Sequence, residues 1–280
     1  MQAVTADCSR AIRLFELGSK IPLISQASAV VEASDETRRS VTPRVSVVVA
    51  VYNEAENLGA VCAELQTALR ALEPVEVILV DDGSTDATAP LVAAMRAENP
   101  GLRLLRHDRR CGKTAALRTG AAAARADWIA TMDGDGQNDP ADIVAMIEAA
   151  WQSTGPAPLV AGVRARRHDP WSRRVATRFA NRLRRAVLAD NCPDTGCGLK
   201  AFRRDDFMRL PMFEGMHRFL PALFQAYGHG LICHPVAHRP RLAGRSKYSN
   251  LGRALVGIGD LFGVIWLRSR TRLPAEVTEN

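Results

Sequence analysis

Two carboxylates separated by one glycine, Asp133 and Asp135, are the residues whose type and spacing most directly suggest chemistry. In an extended segment, residues two apart lie on one side, so both carboxylates can face the same ligand. The intervening Gly134 would let the backbone approach that ligand closely. Oxygen donors from one or two carboxylates, completed by substrate phosphates and water, are the usual way to hold magnesium or manganese. The plainer alternative is a turn capping the next helix, with Asn138 or Asp139 as cap and Pro140 in its first position. The two readings are compatible, because the cap would follow the carboxylate pair. A second acidic loop runs from Asp81 and Asp82 through Gly83, Ser84 and Thr85 to Asp86. One of its carboxylates, Asp82 in preference to Asp81, is expected to accept hydrogen bonds from a nucleobase edge, with Ser84 or Asp86 capping a helix. Glu54 is either a helix-start acid or a ligand contact.

These loops need elements to position them. Val45–Val51 is a nearly continuous β-branched run, the pattern of a strand buried on both faces. Val75–Val80, Leu102–Leu105, Trp128–Met132 and Leu159–Val163 are shorter apolar runs, with helical stretches at Glu56–Leu72, Ala87–Ala97, Lys113–Arg125 and Ala141–Trp151 between them. Such alternation predicts an α/β fold, a mostly parallel sheet with helices on both faces. Ligands of such sheets sit beyond the carboxyl ends of the strands, where all three acidic loops fall. Gathering that much negative charge is costly without a cation or a hydrogen-bonding ligand.

The 280 residues suffice for one large α/β domain with appendages, and 47% hydrophobic with 24% charged residues is ordinary globular composition. Residues 1–43 are expected to form a flexible extension, 44–249 the α/β domain, and 250–280 an amphipathic helix and tail. The net charge of +7 is uneven: nine arginines lie between Arg164 and Arg185 against the single acid Asp169. A block of this kind suits an anionic partner, whether phosphate, membrane surface or nucleic acid, unless it is simply a solvated helix face. Nucleic acid is set aside, since only Trp171 and Phe179 offer stacking there and no recognised binding motif appears. The six cysteines have no zinc-like spacing, and reduced thiols are expected. No secretory signal or membrane-spanning run is visible, which predicts a cytoplasmic protein. In Leu251–Leu267 apolar residues recur at helical spacing, followed by Arg268, Arg270 and Arg272. That helix would lie in a headgroup layer or pack on protein, and association into a homo-oligomer stays open.

The motif series at Val49–Glu54, Val80–Asp86, Gly112–Leu117 and Asp133–Gln137 resembles that of inverting family-2 glycosyltransferases with the GT-A fold. Asp194–Phe202, His217–Pro221 and His238–Tyr248 are similar to the dolichol-phosphate mannose synthase branch and its bacterial polyprenyl-phosphate relatives. The resemblance spans about Val45 to Leu267. It implies that Asp133, Asp135 and Gln137 bind Mg2+ or Mn2+, that Glu54 and Asp82 help hold the nucleotide, and that Tyr52 lines its base. Carried over by position, Arg164, Arg173, Thr177 and Arg241 face a lipid phosphate. Thr177 stands where the family usually has serine, and Leu199-Lys200 where it usually has Phe-Arg.

The expectation is therefore transfer of a hexose-type sugar from a GDP- or UDP-sugar donor to a polyprenyl phosphate, by a protein peripheral on the inner face of the cell membrane. Lys113 is expected on the nucleotide side. A phosphate acceptor is already anionic and needs cations to align it, whereas a hydroxyl acceptor would need a general base. Asp194 is the candidate for that base if the acceptor is instead a glycan or lipid hydroxyl.

Overall fold

A computed structural model describes residues 41–99, 101–164, 184, 187–240 and 250–272. From Pro43 onward they belong to one compact unit. Most of the expected N-terminal extension, most of the arginine block, and Arg173, Thr177 and Arg241 lie outside the described residues.

The order along the chain is β1 (Val45–Val51), α1 (Ala55–Ala68), a 3-10 turn (Leu69–Leu72), β2 (Val75–Asp81), α2 (Thr88–Glu98), β3 (Leu102–Arg106), α3 (Lys113–Ala123), β4 (Trp128–Asp133), α4 (Ala141–Trp151) and β5 (Leu159–Arg164). There follow β6 (Lys200–Arg203), α5 (Arg204–Arg209), a 3-10 turn (Met216–Arg218), α6 (Leu220–Ala226), β7 (Leu231–Val236) and α7 (Asn250–Arg270). Seven strands form one sheet in the order β3-β2-β1-β4-β6-β5-β7. All pairings are parallel except those of β6, which runs antiparallel between β4 and β5. The α/β class and mostly parallel sheet expected from the sequence are what the chain adopts.

Strand β1 is central because its residues are apolar on both sides. Val47, Val49 and Val51 pack with Leu58, Val61 and Leu65 of α1 and Ile143, Met146 and Ile147 of α4. Val48 turns the other way, toward Ala116, Leu117 and Ala121 of α3. Burying one such aliphatic side chain contributes roughly 1.5–3 kcal/mol, so this strand anchors the loops at its end. The second core also takes in Phe202, Phe207, Phe224 and Val264 of α7. One face of α7 is thus packed. Its Ile258, Phe262 and Trp266, spaced by four, are 53%, 68% and 62% exposed.

The amino ends of the strands are closed by one buried acid. Glu76 is 1% exposed. It accepts from Ser46 Oγ (2.6 Å), Arg125 N (2.6 Å), Arg125 Nε (3.0 Å) and Arg103 Nη1 (2.9 Å). Burial opposes ionisation of Glu76, but the Ser46 and Arg125 hydrogen bonds and the Arg103 charge outweigh it and hold the carboxyl below its ordinary value.

Candidate active site

At the opposite ends of the strands, parallel register fixes where the acids emerge. Asp81 pairs with Val51 on one side of β1, and Asp133 pairs with Ala50 on the other. The two acidic loops therefore flank the loop that follows β1. Asn53, at φ 52°, turns that loop; asparagine tolerates this left-handed conformation better than most residues. Its N–H donates to Ser84 Oγ (2.9 Å), and its Oδ1 accepts from Thr85 N (2.8 Å). Glu54 N donates to Thr88 Oγ1 (3.0 Å), while the Glu54 carboxylate accepts from Asn57 Nδ2 (2.6 Å). Asp86, one residue ahead of the N-cap Ala87, accepts from Thr88 N (2.9 Å) at the start of α2 and from Ala55 N (3.3 Å) at the start of α1.

Asp82 is 4% exposed, and both its oxygens are engaged by the protein. Oδ1 accepts from Cys111 N and Oδ2 from Gly112 N, each at 2.8 Å. His107 Nδ1 also lies 2.8 Å from Oδ1, and the other ring nitrogen lies 3.0 Å from Thr119 Oγ1. The sequence suggested a nucleobase partner for this carboxylate; what it holds here is the turn leading into α3. Beside it, the Arg110 guanidinium stacks 4.5 Å over the ring of Tyr52.

The loop after β4 is built differently. Asp133 is paired with the Lys113 ammonium, from the first residue of α3. Burial disfavours the charged carboxylate, but Lys113, with His217 and Lys200 adding their fields, holds the Asp133 carboxyl below its usual range. Asp135 Oδ1 accepts from Gln137 N (3.2 Å), and Gln137 Nε2 donates to Arg239 O (3.4 Å). Arg239 N in turn donates to Gln137 O (2.9 Å), and Asn138 bridges to His238. The Arg239 guanidinium then spans Glu64 on α1 (2.8 Å) and Asp139 (2.5 Å). Asp139 Oδ1 accepts from Ala141 N (3.0 Å), but the helix starts one residue later than expected, which makes Pro140 its N-cap and leaves Asp139 just ahead of it.

Arg164, the last residue of β5, makes a two-pronged pair with Asp194: Nε to Oδ2 at 2.6 Å and Nη2 to Oδ1 at 2.8 Å. Burial works against the guanidinium charge, yet the Asp194 contact raises the Arg164 pKa above its ordinary value.

Residues 46–210 match the family model described as Glycosyl transferase family 2. The chain belongs to that family. It is an enzyme, a nucleotide-sugar glycosyltransferase. Among solved structures, glucosyl-3-phosphoglycerate synthase from Mycobacterium tuberculosis, in complex with Mn2+, UDP-glucose and glycerol 3-phosphate, is 20% identical, with 86% of this chain and 83% of that chain covered and a TM-score of 0.62. The mannosyltransferase PcManGT from Pyrobaculum calidifontis, in complex with GDP-mannose and Mn2+, is 24% identical, with 84% and 67% covered and a TM-score of 0.63. Likeness at these identities is one of fold, the GT-A fold.

Within this family-2 domain the residues after β4 suit a divalent cation. Asp133 already carries a positive partner on its open side, and Asp135 and Gln137 add further oxygen atoms two and four residues on. Gly134 has a reason other than ligand approach: a Cβ there would come within 2.6 Å of Val51 Cγ1. Gly198 plays the matching part opposite, since a Cβ would lie 2.5 Å from the Asp133 carboxyl carbon.

Three residues around Asp133 escaped assignment from the sequence. Gly198 is one. Lys200, 4% exposed, donates to the carbonyls of Thr195 (3.2 Å) and Cys197 (2.5 Å), which fixes the turn carrying Gly198. Burial, with help from the nearby Lys113 charge, lowers its pKa. His217 Nδ1 shares a hydrogen bond with Thr114 Oγ1 (2.9 Å), and burial first, then Lys113, Lys200 and Arg218, push its pKa well below the ordinary imidazole value. Both residues stood in quoted motifs, but neither motif revealed what the side chain would touch. The described cysteines are free thiols, as expected; Cys192 is buried beside Cys233, and burial pushes its thiol up to about 12.

Proposed function

We propose that this enzyme transfers a hexose-type sugar, with inversion, from a nucleoside diphosphate sugar to a polyprenyl phosphate at a membrane surface. The observation that carries the lipid assignment is α7. Its exposed stripe of Ile258, Phe262 and Trp266 runs into Arg268 and Arg270, with Arg272 beyond. Apolar area and basic charge add when a helix lies in an anionic headgroup layer. No helix among the described residues is long and apolar enough to cross a membrane. Contact would therefore be peripheral through this part of the chain, on the inner, cytoplasmic face.

The acceptor chemistry has separate support. Asp194, the carboxylate that could have served as general base, is 3% exposed with both oxygens in the Arg164 fork. A carboxylate held in this way is poorly placed to take a proton from a sugar hydroxyl. A phosphate oxygen attacks the anomeric carbon without proton removal, and the nucleoside diphosphate departs with the electrons of the broken glycosidic bond. Arg164, Arg173, Thr177 and Arg241 are assigned to the acceptor phosphate, with Arg164 also aligned by Asp194. Tyr52, Glu54, Asp82 and Lys113 are assigned to the nucleotide side, Asp82 through the Cys111–Gly112 turn that it holds. Magnesium or manganese, held by Asp133, Asp135 and Gln137, would neutralise the leaving diphosphate.

A second reading keeps the anionic acceptor and drops the lipid. It is favoured by the M. tuberculosis synthase of the same fold, solved with phosphoglyceric acid at 20% identity. The test offers radiolabelled GDP- and UDP-sugars with Mn2+ to polyprenyl phosphate in anionic vesicles, to phosphoglycerate, and to saccharides. Label passing into the organic phase is the expected result. Label appearing only on phosphoglycerate overturns the lipid acceptor, and transfer to a saccharide that is abolished in Asp194→Asn restores the hydroxyl mechanism. The double variant F262S/W266S is expected to lose flotation with those vesicles while still turning over detergent-dispersed acceptor.

A further inference from the structure

Lys113 pairs with Asp133. Its place is set from a fixed point, because the two amides before it, Cys111 N and Gly112 N, are both pinned by buried Asp82 at 2.8 Å. From there its ammonium reaches Asp133 Oδ1. The carboxylate is closed on another side, where Gly198 packs so near that a Cβ would stand 2.5 Å from both its Cγ and Oδ2. Lys200 adds its field but makes no ion pair with Asp133, because its ammonium donates to the carbonyls of Thr195 and Cys197. Among the described residues, Lys113 is the one ion-pair partner of Asp133. Asp133 is also a residue on which the proposed cation site depends.

We propose that Lys113 is a resident counter-ion for Asp133, which a divalent cation must displace and a nucleoside diphosphate draws away. The inference rests on the cation reading given above and adds an order to it. Without nucleotide, the ammonium occupies the open side of the carboxylate and metal binds weakly. When a diphosphate arrives, the lysine at the start of α3 has an anionic alternative, favoured also by the amino end of that helix. Asp133 is then released to the cation. Metal and nucleotide strengthen one another through this side chain, by a coupling that linkage makes equal in both directions.

The experiment is Mn2+ titration of the full chain, followed by electron paramagnetic resonance, with and without saturating GDP or UDP. In the wild type, Mn2+ should bind weakly alone and more tightly with nucleotide. Lys113→Met and Lys113→Gln should both bind Mn2+ alone about tenfold more tightly than wild type, within the usual range of coupling strengths. Both should also bind the metal-free nucleoside diphosphate more weakly, so the coupling shrinks. Lys113→Arg keeps the charge and should stay near wild type. Unchanged or weaker binding of Mn2+ alone in both neutral variants, with wild-type melting temperatures, overturns the counter-ion role while the cation site stands. Failure of the wild type to bind Mn2+ under any of these conditions removes the cation site itself.

Discussion

The two ends of the sheet treat an acid in opposite ways. At the amino ends, Glu76 is 1% exposed and every acceptor direction is filled by Ser46, Arg103 and Arg125. At the carboxyl ends, Asp133 is one-third exposed and, among the described residues, paired with the Lys113 ammonium alone, while Asp135 takes a longer backbone bond from Gln137. Each site gathers charge that burial penalises. The first satisfies it with rigid partners from two strands and the segment before a third, so nothing is left for a ligand. The second satisfies it with a partner that can leave. A fixed network stabilises the fold; a provisional one is available for chemistry.

The largest expected effect breaks the provisional end. Asp135→Ala should lower kcat/KM by about 100-fold or more, the scale for losing a key electrostatic contact, with little change in melting temperature. Near-normal turnover by that variant in metal-depleted buffer would erase the contrast. The fixed end should respond in reverse. Glu76→Gln is expected to cost about 2–3 kcal/mol in denaturant unfolding, because it leaves the arginines facing a neutral group, while turnover per folded molecule stays as it was.

The same pair can be separated by acid. The folded pKa of Glu76 lies below the ordinary glutamate value, so its stabilisation is fully present above that value and is lost as pH falls through the lower folded one. The stability gap between wild type and Glu76→Gln should therefore be constant near neutrality and narrow below about pH 4. A gap that widens on acidification would mean that the network does not favour the ionised acid.

What could be read from the sequence follows from the range of the interactions. β1 to β5 were legible because strands buried on both faces are short apolar runs, and the helices between them carried their own signals. β6 was not: Lys200–Arg203 begins and ends in charge, and its strand character comes only from insertion between β4 and β5. At the site, the acids were legible as loop residues following strands. Their partners were not, since Lys113 meets Asp133 across 20 residues and Arg164 meets Asp194 across 30. Gly134 shows the same limit. Its place between two carboxylates suggested close approach to a ligand, yet the neighbour that forbids a side chain is Val51 on the adjacent strand.

The smallest expected effect tests whether the provisional end has any fixed support of its own. Arg239 makes backbone bonds to Gln137, and its guanidinium joins Glu64 on α1 to Asp139 below the cation loop. Both ion pairs are partly exposed, so their direct contribution to stability should fall within about 0–1 kcal/mol. Their effect on the loop should be larger than that, because the guanidinium ties Asp139, two residues past Gln137, to α1, and losing such outer support commonly changes metal affinity by roughly 10-fold or more. Arg239→Ala is therefore expected to weaken Mn2+ binding in the presence of nucleotide by about 10-fold, with a barely shifted melting temperature. Arg239→Lys, which keeps the charge but cannot span both acids with one planar fork, should fall between the two. If Arg239→Ala leaves Mn2+ affinity intact, the loop from Asp135 to Asp139 holds its shape without the clasp, and flexibility at this end of the sheet belongs to Lys113 alone.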